Sequence, residues 1–298
     1  MNQLGRYPSP LRYPGGKGKV ANFVKLVMLE NDLVGHDYVE PYAGGASVAL
    51  SLLYEDFADH IHINDINSGV SAFWQSAVHE TDDLCALIDS TNVSIDEWQR
   101  QREIAFNPKS DGLSLAFATF FLNRTNRSGI IGGGVIGGLD QEGPWKLDAR
   151  YNKPELIRRI QKIGRHRNRI SVTKMDAVDY LQRWQRTGES PALVYLDPPY
   201  YVKGEGLYDN FYGPGDHAAV ADAVRRLSHE WLVSYDAHPE IMRIYSGLQT
   251  IRYSLSYSAN SKRSQGAEVM FFSDSLDVPG LTPSGIPNET VARAQVRP

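Results

Sequence analysis

Apolar and polar positions follow a strand-like rhythm at the two ends of the chain and a different one in the middle. DYVE (37–40) is a short strand ending in an acid, followed by the turn PYAGGAS and the helical run VALSLLYEDF. HIHIND (60–65) alternates as a strand does and again ends in an acid. RISVTK (169–174), ALVYLD (192–197) and WLVSYD (231–236) read as further strands, with helical stretches at 176–186 and 216–229. Strands alternating with helices predict a largely parallel sheet covered on both faces. Only a polar loop separates the last two strands, 249–257 and 267–273. That is too short for a parallel crossover, so an antiparallel hairpin is expected.

Residues 70–168 interrupt the rhythm. Helical segments at 72–90, 95–105 and 114–122 precede SGIIGGGVIGGLDQEG, which has six glycines between Gly129 and Gly138. So many glycines fit a flexible loop or open hairpin whose backbone must approach something closely. Phosphate binding is a weak alternative, because no GKS or GKT follows. The tail, 276–298, is rich in Pro, Thr, Ser and Gly and is expected to be disordered.

Composition narrows the classes. Of 298 residues, 42% are hydrophobic and 22% charged, as in ordinary globular proteins. No stretch approaches the ~20 apolar residues that span a bilayer, so no membrane partner is expected. The start, MNQLGRYPSPLRYPGGK, lacks the apolar run of a secretory signal, and the cytoplasm is the expected location. The lone Cys85 excludes an internal disulfide and any cysteine cluster. The histidines show no ligand spacing, and no metal is expected. A net charge of −4 argues mildly against nucleic-acid binding, but local charge density matters more than the total. Arg150, Lys153, Arg158, Arg159, Lys162, Arg165, Arg167 and Arg169 fall close together, with Arg124 and Arg127 shortly before them.

The strongest chemical signal is LVYLDPPYY (193–201). A hydrophobic strand delivers Asp197 to its carboxyl end, where ligands bind in open α/β sheets. Pro198 and Pro199 fix the following turn and remove two N–H donors, and Tyr200 offers a flat stacking surface. This array suits a planar ring bearing an amino group, whose hydrogens the Asp197 carboxylate and the Pro198 carbonyl can accept. Accepting them stabilises positive charge on the nitrogen as it becomes alkylated. In VEPYAGGASVAL (39–50) a strand, a glycine turn and a helix start form a nucleotide-type site, and Asp65 ends the next strand, placed for ribose hydroxyls. The turn is not GxGxxG, so a cofactor with a ribose but no pyrophosphate, such as S-adenosylmethionine, fits better than a dinucleotide. RYPGGKGK (12–19) is a tight turn leading into a helix, bordered by Arg12, Tyr13 and Lys17.

Taken in order, RYPGGK, EPYAGGAS, INDIN, FLNRT and LDPPY resemble the DNA adenine methylase (Dam-like) family of N6-adenine methyltransferases, from about Leu11 to Phe272. The resemblance implies a Rossmann-like, seven-stranded class I methyltransferase sheet with an inserted, mainly helical target-recognition domain containing a Gly-rich hairpin. Residues 1–70 and 169–275 would then form the catalytic, S-adenosylmethionine-binding domain, and 71–168 the domain that meets double-stranded DNA. Asp197, Pro198, Pro199 and Tyr200 would be the catalytic motif that holds a flipped adenine. Tyr13, Lys17, Glu40, Tyr42, Gly44, Asp65, Asp176 and Asp197 would hold the cofactor. Arg12, Arg124 and Arg127 are the candidates for DNA contact. Two positions depart from the family: Ala177 stands where an aromatic often follows Asp176, and Arg127 where members that methylate GATC often carry an aromatic. GATC is therefore not predicted as the target, and the sequence leaves GATC or another site open. Tyr208, Phe211 and His217, in LYDNFYGPGDH, match the segment after the catalytic loop.

Three rival readings stay open on sequence. N4-cytosine methylation shares the chemistry but more often resembles SPPY. A DNA-binding protein that lost catalysis would not need an intact DPPY. A dinucleotide oxidoreductase lacks its fingerprint. A cognate restriction endonuclease, as a separate protein, is a candidate partner.

Overall fold

The computed structural model describes residues 8–12, 18–188, 191–201, 212–257 and 264–285. Its strands are β1 (Asp37–Glu40), β2 (Ile61–Asn64), β3 (Ile170–Thr173), β4 (Ala192–Leu196), β5 (Glu230–Asp236), β6 (Thr250–Tyr257) and β7 (Ser264–Phe272). Its helices are α1 (Gly18–Glu30), α2 (Ser47–Tyr54), α3 (Ser68–His79), α4 (Thr81–Ser90), α5 (Ile95–Phe106), α6 (Gly112–Thr125), α7 (Lys153–Arg165), α8 (Ala177–Thr187), α9 (Pro214–Arg225) and α10 (Pro239–Ile244). The strands form one mixed sheet in the order β3-β2-β1-β4-β5-β7-β6. β1 is parallel to β2 and β4, and β4 to β5, while β7 runs antiparallel to both β5 and β6. This is the seven-stranded arrangement, closing hairpin included, that the sequence implied.

The chain divides into two compact units, one of residues 15–64 and 175–298 and the other of 1–14 and 65–174. In the first, β4 is buried at all five positions, which is why ALVYL reads as an unbroken apolar run rather than an alternation. Val39, Val194, Leu196 and Val233 form its core with Leu181 of α8, Val220 and Val224 of α9 and Ile241 of α10. Pro214 and Pro239 open their helices in the first turn, where no N–H is needed. Beyond β7, Leu276 is buried, and the amide of Asn31 exchanges two hydrogen bonds with the backbone of Asp277, at 2.9 and 2.7 Å. Residues 286–298 lie outside the described residues.

In the second unit α6 is buried along most of its length, from Leu115 to Asn123; α3, α4 and α5 pack against it, and α7 packs on α3 and α4. Small contacts set the spacing: a Cβ on Gly69 of α3 would stand 2.4 Å from Thr119 Oγ1 of α6, and one on Gly164 of α7 would stand 2.4 Å from Thr81 Oγ1 of α4. The continuous helix expected over 72–90 is two, α3 and α4. They part at Glu80, whose φ of −123° leaves the helical range while its carboxylate accepts from Ser76 Oγ at 2.6 Å. Likewise, the helix expected to reach 229 ends at Arg225. The glycine-rich passage is a series of turns closed by one antiparallel bridge, Asn126 to Val135. Cys85 is buried, and burial pushes its thiol up to about 11, consistent with a packed core residue. No described helix is long and apolar enough to cross a membrane.

Candidate active site

β4 brings Asp197 half-buried to the carboxyl end of the sheet. Ser234 of β5 donates its hydroxyl to Asp197 Oδ1 at 2.7 Å, and the Tyr195 hydroxyl lies 2.9 Å from the same Ser234 oxygen. A serine has one proton, so while Ser234 donates to the carboxylate it accepts from Tyr195. Tyr195 is completely buried, and burial, with Asp197 and then Glu40 and Glu268 nearby, holds its hydroxyl well above the usual tyrosine range. Tyr195 therefore stays a donor, and the chain Tyr195–Ser234–Asp197 fixes one carboxylate oxygen.

The loop that follows is held residue by residue. Tyr200 donates its hydroxyl to Glu268 Oε2 at 2.9 Å, and the Tyr201 N–H donates to Asp236 Oδ1 at 3.0 Å. Asp236 and Glu268 face each other across the antiparallel β5–β7 pair. The Tyr201 ring stacks on His238, with centroids 4.2 Å apart and an interplanar angle of 18°, and stands 5.2 Å from His217. His217 is buried, its Nδ1 lies 3.1 Å from the Tyr235 hydroxyl, and burial lowers its pKa.

Glu40, the last residue of β1, is buried and accepts from the Ala49 N–H of α2 at 3.2 Å. Between them Gly44 (φ 46°) and Ala46 (φ 44°) both take the left-handed conformation, a strained choice for alanine. Asn64 laces this turn to the segment after β3. Its Nδ2 donates to the Pro41 and Met175 carbonyls, each at 3.0 Å, and its Oδ1 accepts from the Met175 N–H at 3.0 Å. Burial, then Glu40, Tyr195 and Asp197, raises the Tyr38 hydroxyl well above the usual range, so Glu40 and Asp197 act on one buried tyrosine. The Tyr42 and Tyr212 hydroxyls are 3.1 Å apart, and burial also raises Tyr42. Asp65 follows β2 directly and accepts from the Asn67 N–H at 2.9 Å. Asp176 caps α8, accepting from the N–H groups of Val178 and Asp179 at 2.9 and 3.3 Å. Glu40 thus ends β1, Asp65 directly follows β2, and Asp176 lies three residues beyond β3. Tyr13, Lys17, Tyr208 and Phe211 lie outside the described residues.

Residues 13–259 match the family described as D12 class N6 adenine-specific DNA methyltransferase. The chain belongs to that family. The methyltransferase therefore acts on adenine in DNA and depends on S-adenosylmethionine. No curated protein sequence is detectably similar to it. Among solved structures it is similar to the protein PH1948 from Pyrococcus horikoshii (9% identity, TM-score 0.44, covering 89% of this chain and 87% of that one). It is also similar to the rRNA methyltransferase aviRa from Streptomyces viridochromogenes (13% identity, TM-score 0.40, covering 91% and 90%).

The three arginine candidates of the methyltransferase stand differently. Arg124, at the end of α6, spends its guanidinium on the carbonyls of Arg150 (2.7 Å) and Pro10 (3.3 Å). Burial, then Arg12, Arg159 and Arg150, lowers its pKa. Arg12 gives Nη1 to the Asn126 carbonyl at 3.0 Å. Arg127 is exposed. Of the basic run, Arg158 and Arg159 pair with Glu155, while Arg150, Arg165 and Arg167 are exposed.

Sequence reasoning passed over the residues that hold the methyltransferase's loops. Asn123 accepts from the Arg12 N–H at 2.6 Å and donates to the carbonyls of Arg12 (2.8 Å) and Gly129 (2.9 Å). Asn126 accepts from Trp98 Nε1 at 2.6 Å and donates to the Ile130 and Ile131 carbonyls. Gly129 has φ +79°, and a Cβ there would sit 2.7 Å from the Arg12 carbonyl oxygen. The close backbone approach expected of the glycines is therefore an internal one at this position. FLNRTN did carry a signal, since two asparagines in a buried helix end must each find several partners.

Proposed function

We propose that the methyltransferase is site-specific and methylates an adenine rotated out of duplex DNA into the site around Asp197. The observation that carries this reading is a carboxylate at the sheet edge with one oxygen held by Ser234, next to two prolines and an anchored Tyr200. Asp197 and the Pro198 carbonyl accept the two hydrogens of the N6 amine. This draws the nitrogen lone pair out of conjugation and stabilises the positive charge that grows on nitrogen as it gains carbon. Tyr200 stacks on the base, worth about 1–3 kcal/mol. When bound, S-adenosylmethionine supplies a methyl group activated by a positively charged sulfur. Glu40, Tyr42, Gly44, Asp65 and Asp176 hold it, together with Tyr13 and Lys17.

Residues 71–168 serve as the target-recognition domain, with the glycine-rich passage as its DNA-facing loop. Exposed Arg127 is the DNA contact favoured by placement, and Arg12 and Arg124 support it by holding the backbone around it. The enzyme works in the cytoplasm, and a separate restriction endonuclease is a natural partner for a modification of this kind. The test is incubation with methyl-labelled S-adenosylmethionine and unmethylated genomic DNA, followed by digestion to nucleosides. Labelled N6-methyldeoxyadenosine that disappears in Asp197→Ala is the expected result. Label in N4-methyldeoxycytidine, or label surviving Asp197→Ala, would overturn the reading.

A further inference from the structure

We propose that Glu268 is a positioning residue, holding the ring of Tyr200 at the angle at which it stacks on the target adenine. The proposal rests on the reading of DPPY as the adenine site. Glu268 is 1% exposed, and its Oε2 accepts the Tyr200 hydroxyl at 2.9 Å. Burying a carboxylate is costly unless it is hydrogen-bonded, so a strand position needing only bulk is better served by an apolar side chain.

Topology explains how the acid reaches this place. β7 is antiparallel to β5, so its end, Phe272, lies level with Leu232 near the start of β5 and its middle lies level with the carboxyl end of β5. Glu268 is in register with Asp236, and Asp236 in turn accepts from the Tyr201 N–H. Two acids on neighbouring strands thus hold two consecutive residues of the loop, one by its backbone and one by its ring hydroxyl. Losing the second bond removes the anchor of the Tyr200 hydroxyl on β7 while the backbone anchor at Tyr201 remains. Glu268 also acts, with Asp197 and Glu40, on the buried Tyr195 hydroxyl, which places it within reach of the reacting end of the sheet.

Four variants test this: Glu268→Gln, Glu268→Ala, Tyr200→Phe and the double variant Tyr200→Phe/Glu268→Ala. kcat and KM are measured on unmethylated genomic DNA, and S-adenosylmethionine affinity is measured by calorimetry. Glutamine still accepts the phenol, so Glu268→Gln should keep kcat within about threefold of the parent. Glu268→Ala and Tyr200→Phe should each lower kcat by roughly tenfold or more while cofactor affinity is unchanged, and the double variant should be no slower than the worse single one. Wild-type kcat in Glu268→Ala, additive losses in the double variant, or a parallel loss of cofactor affinity would overturn the proposal. If Glu268→Ala does not fold, Tyr200→Phe/Glu268→Gln replaces the double variant. The small effect of the glutamine should vanish in the Tyr200→Phe background, and its persistence there would overturn the proposal. A parent protein that puts no label into adenine defeats the function reading instead, and an active parent confines any failure to Glu268.

Discussion

Ser234→Ala isolates the contribution of one hydroxyl to the reacting carboxylate. In the parent the hydroxyl donates to Asp197 at 2.7 Å and accepts from Tyr195 at 2.9 Å. A hydrogen bond to a charged group contributes about 1.5–3 kcal/mol. If that stabilisation is what keeps Asp197 aimed at the amine, kcat falls roughly 10- to 150-fold. The second loss is structural. Tyr195 is completely buried, so its hydroxyl loses its serine partner where no water replaces it, at about 1–3 kcal/mol of stability. These effects separate in Ser234→Ala/Tyr195→Phe, which removes the stranded hydroxyl as well. The double variant should recover most of the stability and none of the activity. The assays are urea unfolding and labelled-methyl incorporation at saturating cofactor. Parent-like kcat in Ser234→Ala, or activity returning with stability in the double variant, would refute the reasoning.

Further outcomes are expected. Arg127→Ala should leave the unfolding midpoint unchanged but weaken DNA binding and flatten its salt dependence by about one charge, whereas Arg124→Ala should cost stability because it removes two carbonyl contacts; fluorescence titration at several salt concentrations and thermal unfolding distinguish them. Gly129→Ala should destabilise the protein by about 1–3 kcal/mol in urea, because φ is +79° and the added carbon meets the Arg12 carbonyl. Burial lowers the pKa of His62 and of His217. The unfolded chain therefore binds more protons below about pH 6.5, so this stability is complete above that pH and is lost as pH falls through the folded-state values. Urea midpoints should drop on acidification through that window, and less so in His217→Gln; a flat profile would contradict the assignment.

The sheet was legible because its strands announce themselves locally: ALVYL is apolar throughout and is buried throughout, and each parallel strand hands an acid or a turn to the same edge. DPPY was legible because few folding requirements ask for Asp, two prolines and Tyr together. The residues that steady the site were not. Ser234 lies inside WLVSYD, where a small polar residue looks like ordinary strand filler, and its partner is 37 positions away in sequence. Glu268 in GAEVMFF looks like the solvent-facing member of an alternating strand until β7 is known to lie between β5 and β6. The break at Glu80 had no glycine or proline to mark it. It accompanies a local Ser76–Glu80 contact and the packing of Thr81 against Gly164, and only the second is tertiary information. Arg124 shows the converse: its motif gave no sign that its guanidinium is bound to carbonyls of its own chain.

The insertion of β7 between β5 and β6 also has a consequence for how the enzyme is made. The ribosome delivers Asp197 before β5, β6 and β7, and the strand bearing Glu268 is the last of the sheet to emerge. β5 must wait with one edge unpaired until the hairpin doubles back to cover it. A nascent or truncated chain that ends before β7 carries the whole DPPY motif without the strand that braces it. Such a fragment also lacks Val269, Met270, Phe271 and Phe272, which are completely buried, so with the edge of β5 bare it should aggregate rather than bind and turn over its substrates.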